Sequence, residues 1–167
     1  MSENIVLVAS DGVKFTTSIK ISELSGFIQR IIQDYNPNEE IDLKAVNSKT
    51  LKRILDYCQH HEFIPPSPPK RPVVSKDLKE NLSDEWDAAL ISELNDEDLH
   101  ELILASNFLD IKSLLDACLV NYACIFKEMT IEEAKIKYSI EEDFTPETEE
   151  RLKQEYHWAM EVDNDES

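Results

Sequence analysis

The sequence predicts a mixed α/β protein of the α+β kind, with a small N-terminal sheet and a mostly helical body. Three observations predict it. Strand-like runs are confined to the N-terminal part, in "NIVLVASDGVKFTTS" and "EEIDL". From Asn47 onward, apolar residues recur every three or four positions, the spacing of a helix face. At 167 residues and 41% hydrophobic content, the chain can bury a core without disulfides or metals.

The elements follow in order. "NIVLVASDGVKFTTS" reads as two strands around an Asp11-Gly12 turn, a strong hairpin signal. "SELSGFIQRIIQD" is a helix capped by Ser22, with Leu24, Phe27, Ile28, Ile31 and Ile32 at helical spacing. "EEIDL" is a short strand, and "NSKTLKRILDYCQHH" is an amphipathic helix with Leu51, Ile54, Leu55 and Cys58 on one stripe. Five of the seven prolines then fall between Pro65 and Pro72. Pro-Pro cannot continue a helix, so residues 65–84 read as a mobile surface linker, with an SH3 or WW ligand as the functional alternative.

Order resumes at "EWDAALISELNDEDLHELILASNFLD". Asn95 or Asp96 caps a helix carrying Leu99, Leu102, Ile103 and Leu104. A further helix carries Ile111, Leu114, Leu115, Cys118, Leu119, Tyr122 and Phe126. The apolar stretch from Leu99 to Asp116 is therefore two helices meeting at a corner. Asn107 is expected in the left-handed conformation at the end of the first, and Asp110 as the N-cap of the second. Thr130 and Glu133 form a capping box, and Thr145-Pro146 is a cap followed by proline at the first helical position. The last helix, from Pro146 to about Met160, has a thin apolar face of Leu152, Tyr156 and Ala159, with Trp158 off it. Such a helix docks on a partner or frays, and the large aromatic favours docking.

Composition narrows the function. With 17 basic and 35 acidic residues the net charge is −18, and no run supplies the basic face that nucleic acid or an anionic membrane would need. Protein partners are the better expectation; an acidic chaperone for basic proteins is the reading suggested by charge alone. Only two glycines are present, too few for a P-loop or a dinucleotide fingerprint. "MSENIVLVASDG" lacks the long apolar run and basic flank of a signal peptide, and three unpaired cysteines suit a reducing compartment. Cys58, His60 and His61 lie close together, raising a metal site or a Cys-His nucleophile. A further metal ligand at matching spacing and an oxyanion loop are missing, so Cys58 reads as core, with no cofactor, metal or catalysis expected. If Leu102 and Leu115 fill the core, Leu104, Phe108, Leu109 and Trp158 are left over, as in a protein-binding ridge.

The order of these elements resembles the S-phase kinase-associated (Skp) adaptor family of SCF ubiquitin ligases. The resemblance rests on "SDG" after the first strand, "ILDYCQHH" before a proline run, and "EWDAALI". It continues through "ELILASNFLDIKSLLD", "MTIEEAKIKYSIEEDFT" and "QEYHW", covering about residues 4 to 160. It implies a BTB/POZ-type domain over 1–64 and 85–126, interrupted by the linker 65–84, then a helical F-box-binding extension over 127–160 and an acidic tail, 161–167. It implies a non-enzymatic adaptor, cytoplasmic and nuclear, joining a cullin to F-box proteins. Ile103, Asn107 and Phe108 would face the cullin; many relatives have Tyr in place of Phe108, so a hydroxyl is missing here. Leu115, Leu119, Ile140, Phe144 and Trp158, with Tyr156 in support, would grip the F-box. In some protist relatives the proline matching Pro146 is hydroxylated and then glycosylated, and "FTPE" stands unaltered here. Weak self-association of the free protein through its apolar C-terminal surface is a further expectation. An elongin-type BTB adaptor is the nearest rival; the tail ending in Trp158 argues against it.

Overall fold

Strand β1 (Asn4–Ala9) and strand β2 (Lys14–Ser18) form an antiparallel hairpin with Val6 opposite Thr16. The computed structural model describes residues 4–33, 39–139 and 146–155. The turn is longer than the two-residue form. The Gly12 amide donates to the Ala9 carbonyl at 2.9 Å and the Ala9 amide to the Val13 carbonyl, with Gly12 left-handed at φ 84°. Strand β3 (Ile41–Leu43) adds parallel to β1, giving the order β2-β1-β3. Side chains alternate across a strand, so Ile5, Leu7 and Ala9 of β1 join Ile41 and Leu43 on one buried face.

A short 3-10 turn, Ile19–Glu23, precedes helix α1 (Gly26–Ile32). Ser22 lies inside that turn, and the cap of α1 is Ser25, whose hydroxyl accepts from the Ile28 amide. Helix α2 (Ser48–His60) is capped by Asn47 and buries the expected Leu51, Ile54, Leu55 and Cys58, together with Tyr57. The stretch read as a linker differs from expectation in its second half. Residues 78–81 form a helical turn, α3 (Leu78–Asn81), capped by Asp77, and Leu78, Asn81 and Leu82 are buried. The Asn81 amide group donates to the Ser75 and Asp77 carbonyls and to the Cys124 sulfur, so this half belongs to the packed body.

Helix α4 (Glu85–Ser92) is capped by Asp84, α5 (Asp96–Phe108) by Asn95, and α6 (Lys112–Glu128) follows directly. Ala88, Ile91, Leu99, Leu102, Leu114 and Cys118 share one buried cluster with the α2 stripe and the sheet. Residues 1–128 make one compact unit and 129–167 a second. Within the second, helix α7 (Ile131–Lys137) carries the complete Thr130–Glu133 capping box, and α8 (Pro146–Glu155) begins at Pro146.

The corner between α5 and α6 corrects two expectations. Asn107 is inside α5, and the left-handed residue is Asp110, at φ 54°. The Asp110 amide donates to the Asn107 carbonyl at 3.1 Å and the Ile111 amide to the Ser106 carbonyl at 2.9 Å. This is a Schellman ending with Asp110 at C′; Asp110 does not cap α6. The corner then seats on the start of α1. Ser25 Oγ donates to the Leu109 carbonyl at 2.5 Å, and the amides of Gly26 and Phe27 donate to the carbonyls of Asp110 and Leu109. A methyl group at Gly26 would stand 2.2 Å from the Asp110 carboxylate.

Gly26→Ala should therefore destabilise the fold by about 1–2 kcal/mol, because the Asp110 carboxylate must leave the start of α1. In an Asp110→Ala background the same change should cost less than half as much. Urea unfolding of the four proteins checks it, and equal costs in both backgrounds would refute the contact.

Candidate functional site

The two helices of the corner bury one face each and leave a second apolar face outward. In α5, Leu99, Leu102, Ala105 and Ser106 point into the core, followed at the corner by Leu109. Leu109 is thus core and not part of an exposed ridge. Leu104 is 55% exposed, Asn107 is exposed, and Ile103 and Phe108 are half-buried. Residues 103 and 107 and residues 104 and 108 are four apart, so they form two neighbouring rows on one side of the helix. The Phe108 ring lies against Phe27 of α1, with centroids 4.8 Å apart, so the side chain is held on one side and remains half-buried. Leu104 belongs with the three expected residues by position.

In α6 the expected apolar stripe splits in two. Leu114, Cys118 and Cys124 are buried, whereas Leu119 is 48% and Phe126 45% exposed, with Leu115 and Tyr122 half-buried between them. Leu115, Leu119, Tyr122 and Phe126 follow helical spacing along a single outward row, and the last two rings are 6.3 Å apart. The sequence places Tyr122 and Phe126 on the same apolar repeat as the buried residues without separating the two rows. The signal that separates them is width: the apolar repeat from Ile111 to Phe126 exceeds what one core-facing stripe needs. Ile140, Phe144, Tyr156 and Trp158 lie outside the described residues. Pro146 is exposed at the first position of α8.

Comparison with known proteins identifies the family of the chain. Residues 3–63 match the model of the Skp1 family tetramerisation domain, and residues 112–159 that of the Skp1 family dimerisation domain. An "E3 ubiquitin ligase complex SCF subunit sconC" of Arthroderma benhamiae is 36% identical, over 96% of this chain and 97% of the relative. The subunit of the same name in Aspergillus clavatus is 36% identical, over 96% and 100%. An "S-phase kinase-associated protein 1 homolog" of Tetrahymena thermophila is 34% identical, over 96% of each chain.

The chain belongs to the Skp1 family.

The rest of this Skp1-family body explains how α5 and α6 are held, and disposes of the cysteine reading. Cys58 is fully buried, and burial pushes its thiol up to about 12; Cys118 is likewise pushed up to about 12 by burial and the nearby Asp87. A thiol of that kind carries almost no thiolate at neutral pH, so Cys58 packs and does not attack. His60 and His61 serve another purpose. His60 Nε2 pairs with Asp84 Oδ2 at 3.0 Å while its ring stacks on Trp86, and His61 Nε2 pairs with Asp87 Oδ1 at 2.7 Å. His60, His61 and Asp84 place potential ligand atoms within 4.8 Å of one another, but these hydrogen bonds account for the grouping. They tie the end of α2 to the start of α4. Tyr57 extends the tie to α6 by donating to Ser113 Oγ, 2.9 Å away.

Charge also clamps α2 to α5. Asp98 accepts from Lys49 at 2.7 Å and from Arg53 at 3.0 Å, and these bonds hold its carboxyl below the usual 3.8. Asp87 shifts the opposite way: burial raises it, only partly countered by His61. A carboxylate lowered by folding contributes stability in full above its unfolded value and loses it as pH falls through the folded one. Asp98→Asn should therefore melt below the wild type at neutral pH and decline less steeply than it once pH drops below about 4. Thermal unfolding across that window checks this; parallel declines would show that the clamp contributes nothing.

Proposed function

We propose that this chain is a non-enzymatic adaptor that joins a cullin scaffold to F-box substrate receptors in an SCF-type ubiquitin ligase. The observation that carries the reading is the pair of outward apolar faces set on one hydrogen-bonded corner. One is built from Ile103, Leu104, Asn107 and Phe108, the other from Leu115, Leu119, Tyr122 and Phe126. An adaptor needs two surfaces of fixed mutual geometry, and a rigid corner supplies that. The SCF-subunit names of its relatives support a place in such a complex, and in this proposal the first face meets the cullin and the second the F-box. Residence in cytoplasm and nucleus goes with the same reading. An acidic chaperone would bind basic proteins in a steeply salt-dependent way, whereas apolar docking of this kind tolerates salt.

Purified cullin and F-box proteins provide the test. Ile103→Glu should weaken cullin binding by roughly 30-fold and leave the F-box interaction intact, and Leu119→Glu should do the reverse. Unaltered circular dichroism and melting would show that both variants fold. If each variant binds both partners as the wild type does, the two-surface assignment is wrong.

The extension adds a second expectation. Residues 145–160 should gain amide protection from hydrogen exchange when an F-box protein is added, because this thin-faced helix acquires its apolar cover from the partner. Unchanged exchange in that segment would show that it takes no part in docking.

A further inference from the structure

We infer that Ser67 is a phosphorylation site for a proline-directed, Ser/Thr-specific protein kinase that reads a basic residue three positions on. The local sequence is Ser67-Pro68-Pro69-Lys70, followed by Arg71. Proline after the acceptor restricts Ser67 to extended backbone, and Pro66 before it fixes its own φ, so the acceptor is held in the open form a kinase cleft requires. The structure keeps residues 65–70 free of helix and strand, with Ser67 and Lys70 both exposed. Among the described residues the Ser67 hydroxyl has no hydrogen-bond partner.

Two single hydrogen bonds hold the segment on the body without covering it. Ser83 Oγ donates to the Ser67 carbonyl at 3.3 Å, and the Lys70 amide donates to the Asn81 carbonyl at 3.0 Å. Acceptor and basic residue are thus presented between two anchor points. The surroundings give the modification an effect. Ser67 lines a cleft of about 190 Å³ that also contains Asp87 and Asp116, and Arg71 lies 3.5 Å from Asp116 of α6. A phosphoryl group adds close to two negative charges there. It repels the two aspartates and competes with Asp116 for Arg71, bearing on the helix that carries the Leu115–Phe126 row.

In the transfer, the Ser67 oxygen forms a bond to the γ-phosphorus of ATP as the bond from that phosphorus to the β,γ-bridging oxygen breaks. ADP leaves, and the hydroxyl proton passes to the kinase carboxylate and then to solvent. Nothing is oxidised or reduced.

The experiment incubates the full chain with a cyclin-dependent kinase, its cyclin and magnesium ATP, with a known substrate peptide as positive control, and maps the product by mass spectrometry. One phosphoryl group on Ser67 is expected. Ser67→Ala and Pro68→Ala should abolish it, and Lys70→Ala should slow it roughly tenfold. Thr145-Pro146 is the sequence's other Ser/Thr-Pro pair, and three positions on it has Thr148 instead of a basic residue. Phosphate on Thr145 with Ser67 unmodified, or no incorporation while the control peptide reacts, would overturn the inference. An undiminished rate for Lys70→Ala would remove the basic-residue requirement.

Discussion

Two helix ends satisfy each other, and the rest of the structure hangs on that exchange. A helix begins with amides that have no partner and ends with carbonyls that have none. Here the first amides of α1, Gly26 and Phe27, donate to the carbonyls at the end of α5, Asp110 and Leu109, and Ser25 adds its hydroxyl. The sequence separation is large, so the contact ties the N-terminal third to the helical body. It also fixes the point from which α5 and α6 diverge, and with it the angle between their outward faces. Moving the corner would leave three donors and two carbonyls unpaired in a partly buried place, which costs more than most surface contacts supply.

The remaining ties act on the same helices from the other side. Asp98 binds α2 through Lys49 and Arg53, His60 and His61 bind α4, and Tyr57 reaches Ser113 at the start of α6. Helix α2 is thus the strut to which α4, α5 and α6 are fastened by polar contacts above a common apolar cluster. Much of the chain's acidity has a local task in this arrangement. Asp77 and Asp84 cap helices, and Asp96, Glu97 and Asp98 occupy the first turn of α5, where the helix dipole favours negative charge.

What could be read from sequence divides along the same line between local and distant causes. The pairing of the hairpin strands (though not the length of their turn), the α2 stripe, the Asn95 cap and the Thr130–Glu133 box are set by residues within a few positions of one another, and they fold as their spacing indicates. Ser22 and Ser25 are equally good caps on local grounds; Ser25 wins because Gly26 next to it lets the corner approach. Asn107 and Asp110 both tolerate the left-handed region, and only the count of residues between Ser106 and Ile111 decides for Asp110. Helix α3 is a single turn whose stability comes from burial of Leu78 and Leu82, a tertiary cause invisible in a proline-rich stretch. Ile103, Asn107, Phe108, Leu115 and Leu119 are singled out through resemblance to a known family, and the structure leaves all five at least partly exposed. Leu104 is already set aside as ridge on spacing, but the outward placement of Tyr122 and Phe126 and the inward placement of Leu109 needed the structure, because periodicity alone does not say which of two apolar rows faces inward.

The corner does without glycine at its left-handed residue. A Schellman ending usually places glycine at C′, where a side chain in the left-handed region costs about 1 kcal/mol. This chain places Asp110 there. The carboxylate then lies against the start of α1, where Gly26 leaves room for it, and within 3.5 Å of Arg30. Favourable interaction with a helix N-terminus is worth roughly 0.3–1 kcal/mol, comparable with the conformational penalty. The exchange is nearly neutral in stability, so stability is a weak reason for it. The difference is in what the position specifies. Glycine at 110 would let the corner end many ways, whereas aspartate reaches across to α1 and allows one seating. The molecule keeps its glycine at position 26, where a side chain would collide, and gives position 110 the residue that fills the space.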